Sequence, residues 1–168
     1  MKIEFEHIIS STFLGIVFVV ITLLTWGCAS SQSSAEHTAK TKKAVMEALA
    51  NKQLRINVRL MHPVRYASRT VSYGFYLEIK GDKLESCLPY MGQVYQGSIS
   101  SDGLNFVSSV IGYRESHPKK DLARIELDAK TTEDYYRYVI EIYDNGSAFI
   151  RVRGQNRDNI SFDGDVEM

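Results

Sequence analysis

From Leu54 to Val166 the chain alternates apolar and polar residues in short runs, and this period of two constrains its fold more than any other feature. Successive side chains on a strand point to opposite faces, so each run offers one face to a core and one to water. Ile56, Val58 and Leu60 alternate with Arg55, Asn57 and Arg59, and Pro63, which cannot donate to a ladder, ends that strand. Val71, Tyr73, Phe75, Leu77 and Ile79 make the next run. A two-residue Gly81–Asp82 turn follows, and the return strand carries Leu84, Ser86 and Leu88. Asp102–Gly103 opens a strand with Leu104, Phe106 and Val110 on one face, and Ala123, Ile125, Leu127 and Ala129 form another. Tyr136, Tyr138, Ile140 and Ile142 lead to Asn145–Gly146, the strongest hairpin signal in the chain because both residues tolerate positive φ. Ala148, Ile150 and Val152 return from it, and Ile160, Phe162 and Val166 form the last run.

Alternation of this kind predicts about eight strands, each half wet. No run is continuously apolar, which argues against a buried parallel sheet. Sequential hairpins predict an antiparallel meander, and a meander this long curls. The expected fold is mainly β, a curved sheet or barrel-like fold, with a β-sandwich as the alternative. Before the strands, residues 35–52 predict one helix with Val45, Ala48, Leu49 and Lys52 on a stripe, covering an open edge or end.

The N-terminus predicts an address. Residues 13–26, FLGIVFVVITLLTW, are shorter than the about 20 residues of a membrane span and suit the apolar region of a secretory signal. The run ends in TWGCASSQSS, which resembles a bacterial lipoprotein signal with Cys28 as the lipidated first residue of the mature protein. Thr25 and Trp26 depart from the Leu and the small residue of that pattern. A retained anchor, with Cys28 a plain thiol, is the alternative. The expected organisation is a signal over 1–27, a lipidated cysteine and flexible tether over 28–34, and one domain over 35–168. An acyl chain contributes about 0.8 kcal/mol per buried CH₂ to membrane binding. Ala29 in place of an acidic residue implies, by the same resemblance, the outer membrane, and no acidic run follows, so the domain is expected to face the periplasm.

Composition narrows the chemistry. Removing the signal leaves 168 − 27 = 141 residues, one domain by length. Of 20 basic and 20 acidic residues the signal takes Lys2, Glu4 and Glu6, so the mature charge is 19 − 18 = +1. That balance gives no support to a nucleic-acid partner, and Lys40, Lys42 and Lys43 read as solvated helix charges. With Cys28 lipidated, Cys87 has no intramolecular partner and reads as a small buried strand residue. His37, His62 and His117 lack metal-ligand spacing, and no phosphate loop, dinucleotide fingerprint or nucleophile elbow occurs, so no metal or cofactor is expected. The paired carboxylates Glu133–Asp134 and Asp163/Asp165 read as solvent-exposed turn and strand acids.

The most unusual stretch is SCLPYMGQVYQG, residues 86–97. Pro89 should end a strand, Gly92 permits a turn, and Tyr90 and Tyr95 can clamp that turn to the sheet. Structural closure is the leading account of it, ahead of a ligand-facing loop. Leu88–Pro89–Tyr90, Gly92 and Tyr95, followed by Gly103 and Phe106, then Asp144–Asn145–Gly146 and a final RDNISFDGDV, resemble the Bacteroidota lipoprotein family called domain of unknown function 4251. The resemblance covers about Ala44 to Val166, and Met91 stands where an aromatic residue is commoner. It implies the location and the fold and carries no activity.

The expected function is therefore a non-catalytic domain that binds a small apolar ligand or an envelope protein, with Leu88, Pro89, Tyr90, Gly92 and Tyr95 as the candidate binding or structural motif. A structural or interaction protein of the envelope is the alternative, and an enzyme comes last. Tyr76, Tyr135, Tyr143 and Phe149 lie opposite the expected core, and any that adjoin would mark a partner site.

Overall fold

Each alternating run pairs with the next, and the last pairs with the first. The computed structural model describes residues 30–95 and 103–168, so the signal-like segment and Cys28 lie outside the described residues. Helix α1 (Ser30–Ala50) precedes β1 (Gln53–Pro63), β2 (Arg69–Thr70), β3 (Tyr76–Lys80), β4 (Lys83–Leu88), β5 (Leu104–Lys119), β6 (Leu122–Lys130), β7 (Tyr135–Tyr143), β8 (Ser147–Gly154) and β9 (Ile160–Val166). Eight of these strands, β1 and β3 to β9, pair in sequence order and antiparallel. β9 then returns to β1, with Ile56 opposite Val166 and Pro63 opposite Ile160. That last pairing makes the sheet a closed barrel and excludes the sandwich. β2 is a two-residue addition to the free edge of β1 beyond β3.

An eight-stranded barrel is just wide enough inside to be filled by side chains or to hold one small ligand. Ile56, Leu77, Ile125, Tyr138, Ile140 and Phe162 fill it, each less than 2% exposed. The Tyr138 hydroxyl donates to Ser86 Oγ at 3.1 Å, so both polar groups of that layer are paired inside the core. Val45 and Leu49 of α1 join the core, and Lys42 pairs with Asp144 at 2.7 Å beside the β7–β8 turn. The helix thus closes the barrel end where that turn lies. It begins at Ser30, so the Ser-rich stretch expected as a tether is helical. Once Val45 and Leu49 fix the helix, each residue added to it gains a hydrogen bond for little further entropy.

Three expectations about strands change. Leu60 was expected inside with Ile56 and Val58, but Arg59 is an extra residue in a bulge against β9, and Met61 and Pro63 face inward instead. Val71 to Phe75 was expected to be strand, yet β3 starts at Tyr76. The bulge bends β1 there, so Val58 N bonds Phe75 O and Val71 N bonds Arg59 O while the chain between loops out through Gly74 (φ 100°). Tyr73 consequently stands wholly in solvent. The β7–β8 turn has three residues, with only Gly146 at positive φ, and Asn145 serves through its side chain, whose Oδ1 accepts from Ser147 N at 3.0 Å.

β5 runs on to Lys119 where the sequence showed strand only to Val110. Its second half pairs with β6 and is exposed except at Tyr113, so no apolar alternation marks it. Pro118 falls where the β5–β6 register skips from Ser116 to Lys119.

Closure yields a test at Gly164. A Cβ there would overlap the Asn57 backbone carbonyl oxygen across the β1–β9 seam, whereas at Gly112 the nearest atom is Asp128 Oδ2 at 3.9 Å. Gly164→Ala should destabilise the fold by about 1–3 kcal/mol in urea unfolding, and Gly112→Ala by less than ~0.5 kcal/mol. Equal effects would contradict the seam.

Candidate functional site

The strand β4 ends at Leu88, which is fully buried, and the chain then turns across the barrel end opposite the helix. Pro89 follows the last ladder residue, as proline's missing donor requires. The Tyr90 hydroxyl donates to the carbonyls of Gln93 at 2.9 Å and Asp158 at 3.2 Å. Gly92 packs under that ring, where a Cβ would come within 2.6 Å of the Tyr90 hydroxyl. Val94 bridges to Arg157, and Tyr95 N bonds Asn156 O at 2.7 Å. Tyr95 itself is 58% exposed, but its hydroxyl is bonded to Asp158 Oδ1 and accepts from Arg65 at 3.2 Å. All five motif residues therefore lie at one end of the barrel, and both tyrosine hydroxyls bond Asp158 in the chain between β8 and β9.

Asp158 is the hub. Its Oδ2 accepts from Gln93 N at 3.0 Å and Arg65 Nε at 2.8 Å, and these bonds with that from Tyr95, the strongest, hold its carboxyl down at about 2. Beneath it lies a buried ion pair, Asp134 with Arg157 Nε at 3.1 Å, with side chains 1% and 6% exposed. Asp134 also accepts from the backbone N–H of Tyr135, Gln155 and Asn156. The Arg157 guanidinium sits 5.2 Å from the ring centres of both Tyr90 and Tyr136. Burial pushes both tyrosine hydroxyls up to about 12, so they remain donors at neutral pH. Gly154 is required here: a Cβ would meet Arg157 Cγ at 2.5 Å and Asp134 Oδ2 at 2.8 Å.

The acid pair Glu133–Asp134 thus splits, with Glu133 exposed and Asp134 buried, contrary to the expectation that both face solvent. The cause is Arg157, 23 residues further on, whose charge and aromatic bracket no local pattern reveals. Asp163 and Asp165 do face outward and pair with His62 and Arg59. Cys87 was expected inside, but β4 points Leu84, Ser86 and Leu88 inward, which leaves Cys87 half-buried on the outer wall. Asp144, Asp163, Glu133 and His117 do not meet: Asp144 pairs with Lys42, Asp163 with His62 and His117 with Glu115. A His62 ring nitrogen also meets Ser68 Oγ at 2.7 Å, which ties the turn after β1 to the wall. Among the described residues no group of three metal ligands occurs.

On the outer wall the structure brings together two of the four outward aromatics. Tyr143 and Phe149 line a concavity of about 400 Å³ with Arg59, Glu141, Ser147 and Asp163. Glu141 is held at the wall by Arg124 at 2.5 Å and Arg151 at 2.9 Å, and its carboxyl stays below the ordinary range despite burial. Tyr76 and Tyr135 go elsewhere. Tyr76 lies under the Arg55 guanidinium, 3.7 Å from its ring centre, and donates to Glu85, while Tyr135 joins Asp128.

The family model described as Domain of unknown function (DUF4251) matches residues 36–166. The chain belongs to the DUF4251 family. Its fold is similar to the crystal structure of a DUF4251 family protein from Bacteroides eggerthii, with a TM-score of 0.62 and 11% identity over 76% of this chain and 87% of that one. At such identity the likeness shows the fold alone. No curated protein matches the chain. Two stretches that carry the family resemblance, LPYMGQVY and RDN, are joined in this DUF4251 barrel by the Val94–Arg157 bridge and the Asp158 hub.

Two outcomes follow for this end of the barrel. Asp134→Ala leaves the Arg157 charge buried without its partner and should cost about 3–5 kcal/mol in urea unfolding. Asp158→Asn should lower the melting temperature at pH 7. Because the folded-state carboxyl lies below its unfolded value, the stabilisation is present above about pH 4 and lost as pH falls toward 2. Thermal melts should therefore converge for the two proteins at low pH, and a gap independent of pH would overturn the assignment.

Proposed function

We propose that the protein is a lipid-anchored, periplasm-facing lipoprotein of the outer membrane whose barrel is a non-catalytic binding domain. The observation that carries this is the contrast between a filled interior and an outer wall with a concavity of about 400 Å³ bearing Phe149 and Tyr143. Inward side chains such as Tyr138 and Phe162 occupy the interior, so binding is assigned to the wall. The Leu88–Tyr95 motif closes the barrel end in this scheme, because its tyrosine hydroxyls are already bonded to the chain. The anchor rests on the apolar run at 13–26 and on Gly27–Cys28.

One observation favours a second reading, a docking or structural protein of the envelope. Val64, Tyr66, Tyr73 and Tyr95 are all more than half exposed, on segments at the motif end of the barrel. Exposed aromatic side chains suit a protein partner. Native mass spectrometry of the domain purified from its host separates the two, since a retained small-molecule mass supports ligand binding and a retained polypeptide supports docking.

The anchor has its own test. Cys28→Ala should abolish incorporation of labelled palmitate and move the protein from the membrane fraction to the soluble one. Membrane retention without label would instead mark an uncleaved helical anchor.

A further inference from the structure

The outer-wall concavity has a composition that selects among ligands. Phe149 lies at the middle of a ladder row, with Glu141 opposite it on β7 and Asp163 opposite it on β9. Arg151 stands 5.4 Å from its ring centre, and the His62 ring is tilted toward it at 6.3 Å. Around it the charged groups have partners: Arg59 is paired with Asp165, Arg124 and Arg151 share Glu141, and His62 is hydrogen-bonded to Asp163. An ionic ligand of either sign would compete with these pairs. A wholly apolar ligand would leave the unspent donors and acceptors of these groups unmet and out of water, at a desolvation cost.

The remaining hydrogen-bonding capacity is substantial and fixed. Arg59 spends two donors on Asp165, in a bidentate pair, and three of its five remain. Asp163 uses Oδ2 on His62 and keeps Oδ1 free. The Tyr143 hydroxyl is free as well, with the residue 36% exposed. Planar donors and acceptors held by neighbours, beside an aromatic ring, match a ligand with an apolar face and a rim of hydroxyls. We propose that this concavity binds a neutral glycan, one sugar ring lying against Phe149 and Tyr143 with its hydroxyls on Arg59 and Asp163. The inference rests on the outer wall being the binding surface and names the ligand class for it.

The test is titration of the full chain, in a detergent without sugar head groups, with maltotriose, cellotriose and triacetylchitotriose. Nuclear magnetic resonance of phenylalanine-labelled protein reads the site directly. The expected result is a saturable shift of the Phe149 resonance with at least one of them, with affinity on the order of 1 mM. Phe149→Leu keeps an apolar side chain and the barrel's melting temperature but should weaken binding by about tenfold. Asp163→Asn, which keeps an acceptor toward solvent, should weaken it less than Phe149→Leu does. No shift with any of the three sugars, or an unchanged affinity in Phe149→Leu, overturns the glycan assignment. If anionic vesicles or a protein shift Phe149 while the sugars do not, the wall remains a binding surface and only the glycan falls.

Discussion

The volume inside an eight-stranded barrel is the constraint on which the rest of this structure depends. Tyr138, Phe162 and the aliphatic residues pack into it as one core. Two openings must then be closed, and the chain closes them in different ways. At one end α1 contributes Val45 and Leu49 to the core. At the other, Tyr90 and the Arg157–Asp134 pair lie where the segments after β4 and between β8 and β9 meet. The apolar helix face needs only complementary shape, but the second closure buries charge and so requires every partner in place.

Much of this was legible in the sequence. Each inward residue of β6, β8 and β9 is the apolar member of an alternating run, because a wall that is wet outside and dry inside imposes that pattern. The Gly81–Asp82 turn was legible because its conformation restricts the residues that can form it. What was hidden is long-range. The Arg59 bulge depends on how β1 meets β9, and Asp134 is buried because Arg157 arrives there from the other side of a hairpin. The second half of β5 was hidden for the opposite reason, since a strand exposed except at Tyr113 has no pattern to read.

The motif around Tyr90 looks, as a string, like a binding loop, and in three dimensions its tyrosine hydroxyls are already bonded to the chain. Residues retained for closure and residues retained for recognition carry the same letters. They differ in whether their hydrogen bonds are already made. Tyr90 and Tyr95 have theirs, whereas Tyr143, Asp163 and Arg59 on the outer wall keep donors or acceptors for something else.

The pairing of the first strand with the last also sets a timetable. Asn57 meets Asp165, and Arg59 is bound to Asp165 across 106 residues of chain. Until β9 emerges, β1 and β8 are both raw edges and the hydrophobic wall is open to water. Loops of that length close slowly, so this barrel belongs among the slower-folding topologies. No nearly complete version of it is safe, and a chain truncated before Ile160 would present two sticky strands where the finished protein has none between them.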